Sequence, residues 1–203
     1  HCMDHHGVYG VIFASILVFL IYKNGVPSLG STQPERLDSI NEHLDAFYEK
    51  TKGISSRLET ITMKNLLPAG TADYAALAGP TVKAANTRHA MPFLKDLANR
   101  HLTSATNADH VIIHQLLNHT MEFHRLSYSS GAFFTPEELA AFDYATQGIG
   151  KYLQLLRMRA KERFLPQHRS RPDGRKLRRP LLGLKAVVET GRFRYPTRWP
   201  TSP

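Results

Sequence analysis

Histidine is the reactive side chain this chain holds in excess, with 11 among 203 residues against a single cysteine. His110 and His114 stand four apart. On a helix that spacing puts both imidazoles on one face, a turn apart, where two nitrogens can share a metal ion. His124 lies loosely on the same stripe, through Leu117 and Met121. A third ligand is harder to find, because Glu122 faces away with Gln115 and Arg125 and Asp109 is one residue off the stripe. Neither an HExxH nor an ExxH arrangement occurs. His110 and His114 are therefore minor metal candidates, and their expected role is to flank an apolar face, hydrogen-bonded or half-exposed. His1, Cys2, Asp4, His5 and His6 form a second cluster able to take copper or zinc. A chain end seldom supplies the rigid support a ligand set needs, so a polar cap is the expectation there.

Other chemistry is thinly represented. Nucleophilic hydrolysis needs a serine on a strained turn such as G-x-S-x-G, and none is present. Gly148-Ile149-Gly150 is a bare G-x-G without the strand that a phosphate loop requires. One cysteine, Cys2, makes neither an internal disulfide framework nor a Cys-rich zinc site. The sequence thus points away from an enzyme, a cofactor and a small-molecule substrate.

The net charge of +9 is unevenly placed. Residues 1–165 carry 16 Lys/Arg against 15 Asp/Glu, whereas residues 166–203 carry 10 against 2. Basicity is a property of the C-terminal segment, where Arg175, Lys176, Arg178 and Arg179 cluster. With Lys23 they are candidates for contact with anionic lipid such as cardiolipin, or with acidic subunit surfaces. Interleaved with Phe193, Tyr195 and Trp199, the same charges also suit RNA, through phosphate contacts and stacking.

Stepping along the chain, Gly7 to Tyr22 is uncharged, with Tyr9 and Tyr22 near its ends. A helix of these residues, about 24 Å long, falls a little short of a hydrocarbon core of roughly 30 Å. A membrane span over 7–23, capped by a polar segment at 1–6, is the expectation, with a buried core helix as the alternative. Lys23 and the absence of Lys or Arg before the span place the N-terminus outside. A start at His rather than Met is expected to reflect processing or a fragment end, with Met3 as the alternative initiator.

Thr32 or Gln33 near the N-cap, Pro34 at the first helical position and Glu35 in the first turn mark a helix start. Leu37, Ile40, Leu44, Phe47, Thr51, Ile54, Leu58, Ile61 and Asn65 then follow in steps of three and four, a heptad pattern over 31–67. It reads as a rod of roughly 50 Å whose stripe (Leu37, Ile40, Leu44, Phe47, Ile54, Leu58, Ile61) binds a partner helix. A helical domain is expected over 71–165. Short helices fall near 71–78 and 80–90, and another restarts at Pro92 and reaches about His101. Longer helices are expected over 107–128 and from the capping box Thr135-Pro136-Glu137-Glu138 to about Leu165. Residues 166–203, rich in Arg and Pro, form an extended basic tail held by partners.

The fold class expected is all-α: a single N-terminal transmembrane helix, a long amphipathic stalk helix, a small helical domain and an extended basic tail. The function that follows is a non-catalytic accessory subunit of a membrane-embedded energy-transducing complex. A respiratory chain complex or ATP synthase of the mitochondrial inner membrane fits, with the C-terminal bulk in the matrix and other subunits and the lipid bilayer as partners. The alternatives are a membrane-tethered RNA- or ribosome-binding protein and a homo-oligomeric coiled-coil tether.

Overall fold

Helix α1, Val8–Ile21, is built from residues without a charge and is apolar on every side. Such a helix belongs in an apolar surround, and the rest of the chain supplies one. In the computed structural model, which describes residues 8–22, 26–54, 56–66, 75, 77, 84–129 and 133–164, Ile12, Phe13, Ile16, Leu17, Leu20 and Ile21 are fully buried. Helices α2 (Gln33–Lys50), α3 (Met63–Leu66) and α4 (Ala84–His101) pack on α1. Helix α5, Ala108–Ser129, packs on α4, and α6, Pro136–Phe164, completes the order. The protein is all-helical, with no strand among the described residues.

The expected membrane span over 7–23 is therefore corrected. No helix among the described residues is long and apolar enough to cross a membrane. The 14 residues of α1 extend about 21 Å, well under the roughly 30 Å of a hydrocarbon core. Arg36 seals the end of α1 against the bundle: its Nη1 donates to the Ile21 carbonyl at 2.9 Å and its Nε to the Gly30 carbonyl at 2.8 Å.

The continuous rod over 31–67 is the second correction. The helix start expected here is present: Thr32 is the N-cap of α2, and a capping box to Glu35 is added to it. The helix ends at Lys50, where Thr51 becomes the C-cap and Gly53 adopts φ +89°, a left-handed conformation that suits glycine. The chain then turns back along its own helix. Tyr48 Oη accepts from the Leu58 amide at 3.0 Å, and Asn41 exchanges two hydrogen bonds with the Ile61 backbone, at 2.8 and 3.0 Å. Pairing 48 with 58 and 41 with 61 means an antiparallel return. The expected partner-binding stripe is consequently spent within one chain. Ile40, Leu44, Leu58 and Ile61 are buried in the core, and Leu37, Phe47 and Ile54 are partly buried against it.

Helix α4 runs unbroken through Pro92, where two pieces are expected. The proline forfeits one backbone hydrogen bond, and burial of Met91, Phe93, Leu94 and Leu97 on either side offsets that loss. The Thr135 capping box forms as expected: the Thr135 amide donates to Glu138 at 2.9 Å and the Glu138 amide to Thr135 Oγ1 at 3.2 Å. Helices α5 and α6 form an antiparallel hairpin, since Phe123 meets Phe142, His119 meets Tyr152, and Asp109 pairs with Arg159. The helix expected at 71–78 lies outside the described residues apart from Ala75 and Leu77, which are not helical. The expected cap at 1–6, Lys23, and the basic segment with Arg175, Lys176, Arg178 and Arg179 also lie outside them.

Candidate functional site: histidine seams and an aromatic edge

His110 and His114 share a face of α5 but do different work. His114 Nε2 donates to the Leu102 carbonyl at 2.6 Å, satisfying the end of α4. That bond leaves only Nδ1 of this ring for any ligand. His110 sets its ring edge-on to Phe19 of α1, with centroids 6.1 Å apart. Burial, and then His114, hold its imidazole below the ordinary range. No group of three or more potential ligands converges among the described residues. The pair is placed as flanking groups of an apolar face.

A serine–histidine contact exists that the sequence did not suggest. Ser28, in a 3-10 turn at Pro27–Leu29, lies with Oγ 2.8 Å from His101 Nδ1. The ring of His43 stands 5.4 Å from that of His101, fixed by its own Nδ1 donating to the Ser39 carbonyl at 2.7 Å. A general base must accept a proton, and this one is set against doing so. His101 Nε2 is buried with no hydrogen-bond partner among the described residues. Burial, then His43, then Arg100 depress its basicity, with Asp96 opposing. The contact ties the turn to α4.

His119 marks the third contact. It is nearly buried, stacked on Tyr152 at 5.5 Å and edge-on to Tyr144 at 5.1 Å. A Cβ on Gly148 would collide with its ring, so α5 and α6 meet here only because residue 148 is glycine. Burial, and then Lys151, keep His119 below its ordinary range. Lower in the hairpin, Arg159 donates to the buried carboxylate of Asp109. Sequence reasoning did not pair the two, because they are fifty residues apart and only the hairpin register joins them.

Among the described residues, two surfaces stand out for a ligand or partner. Between α2 and α4 lies an open cleft of about 290 Å³, lined by Phe47, Phe93 and Leu97 with the charged Glu42, Lys50 and Asp96. That volume is at the lower edge of small-molecule pockets. The other surface is the turn and first coils of the α5–α6 hairpin. Phe133 is 89% exposed, Tyr144 69% and Leu139 58%, while Phe134 is exposed at the 40% level. Phe134 is rooted by Phe142 at 5.2 Å, and Phe142 by Phe123 at 4.6 Å. The adjacent pair Phe133-Phe134, in a turn rather than on a helical face, was the visible signal for this edge. Comparison with protein families, characterised proteins and solved structures gives no match to this chain.

Proposed function

We propose that this chain is a non-catalytic helical subunit that docks on a larger assembly through the aromatic edge of the α5–α6 hairpin. The observation that carries the reading is Phe133, Leu139 and Tyr144 exposed near one hairpin end, beside Phe134, which packs on the Phe142–Phe123 ring pair. Scattered exposed apolar residues are ordinary, but a rooted group of large ones is what interfaces use as anchors.

An accessory subunit of an organellar respiratory or ATP-synthase complex is the finer form of this reading. Its support is the basic C-terminal segment, 10 Lys/Arg against 2 Asp/Glu over 166–203, which suits acidic subunits or anionic lipid. It no longer has a spanning helix to lean on. The test is a gentle extraction from the native source, then native electrophoresis with mass spectrometry of the band holding this chain. A high-mass band that weakens about tenfold for Phe133→Ser with Leu139→Ser is expected. A band at the mass of the chain alone would overturn the reading. A second reading, RNA binding by residues 166–203, is favoured by their charge and by Phe193, Tyr195 and Trp199. It predicts affinity falling steeply with salt.

A further inference from the structure

One imidazole touches the uncharged helix α1, a second holds the turn that follows it, and a third joins α5 to α6. His110 of α5 leans on Phe19 of α1, its Nδ1 buried with no hydrogen-bond partner among the described residues. Helix α1 offers this ring no charge, and the titratable neighbour on its own helix is His114. His101 ties α4 to Ser28, in the turn that follows α1. Facing His101 are His43 from α2, with Arg100 and Asp96 from α4 itself. His119 holds α5 to α6 against Tyr144, Tyr152 and the Gly148 backbone, with Lys151 the charge that bears on it. At each contact an added proton meets apolar or cationic neighbours, Asp96 being the exception.

Once these contacts loosen, α1 has no polar face to show to water. An apolar medium is its favourable surround. The chain carries +9 with every histidine neutral, and protonating any of its 11 histidines adds to that charge, so anionic headgroups complement it. We propose that acidification opens the histidine contacts at His101, His110 and His119 and delivers α1 to the surface of an anionic lipid bilayer. With a length of about 21 Å it embeds in one leaflet and does not cross.

The test floats the full chain with phosphatidylcholine–phosphatidylglycerol vesicles at pH about 7.4 and about 5, each at low salt and at about 0.5 M salt. The vesicles carry a photoactivatable label in the acyl region. The bound fraction is expected to rise about tenfold at the lower pH and to survive salt, with label on residues 8–21. Equal binding at both pH values, loss of binding in salt, or label confined to residues outside 8–21 would each overturn the proposal. Salt-labile binding would assign the effect to the basic segment alone. His110→Phe with His119→Phe keeps two rings and removes two protonation sites, so the midpoint is expected to move down by about half a pH unit. An unchanged midpoint sinks the proposal. Should that variant fail to fold, the label map on the unaltered chain decides by itself.

Discussion

Arg36 shows how much one side chain can organise. Its guanidinium reaches three carbonyls, those of Ile21, Gly30 and Ser31, and so joins the end of α1 to the start of α2. Hydrogen bonds from a charged group contribute about 1.5–3 kcal/mol where they are partly shielded. Arg36→Met keeps much of the stem and removes the donors, and should lower unfolding stability by about 1–3 kcal/mol in urea titration. Gly148 acts by what it lacks. Gly148→Ala drives a methyl into the His119 ring and should cost about 1–3 kcal/mol as overpacking, although alanine is the better helix former. A variant at Gly150, where a Cβ meets nothing within 4 Å, is the control and should instead gain up to about 1 kcal/mol.

At the scale of elements, the segment after α2 carries the main lesson. The heptad steps from Leu37 to Asn65 are real, and every member of the apolar stripe faces apolar surroundings. What periodicity did not reveal is that Gly53, at φ +89°, reverses the chain and folds the second half of the stripe against the first. Gly53→Ala should therefore destabilise by about 1 kcal/mol through left-handed strain and should not lengthen α2. Amide exchange checks this: protection should cover the interior of Gln33–Lys50 and fall away beyond Thr51 in both proteins. The clearest local signal, the capping box at Thr135, fell where expected because capping is decided within four residues, and the helix start near Thr32 proved to carry a second box.

For the whole molecule, the histidines at these contacts set an acid limit. His101, His110 and His119 are held below the ordinary value of 6.5, burial being the first cause in each. In the unfolded chain the same rings titrate near that value, so as pH falls through about 6.5 the unfolded state takes up protons first. Stability from these groups is present in full above that pH and is lost progressively as pH falls toward the lowered native values. A urea midpoint measured from pH about 7.5 to about 5 should decline, and His110→Phe should flatten the decline. The carboxylate of Glu35, lowered by the Thr32 and Ser31 amides, acts in a separate range, its support fading only as pH falls below about 4.5.

The sequence by itself determined the helical character, the capping box at Thr135 and the uncharged run from Gly7 to Tyr22 that has to avoid water. Each of these is a local or compositional property. Only the tertiary structure decided where that run goes. A 14-residue apolar helix can be sheltered by a bilayer or by other helices, and periodicity is silent between the two. The stripe of α2, the burial of Met91 to Leu97 on α4 and the contacts of α5 supply the apolar surround. The same holds for Asp109 with Arg159 and for His119 with Gly148, pairs fifty and twenty-nine residues apart. Their meeting depends on the register of two packed helices, which no window of sequence contains.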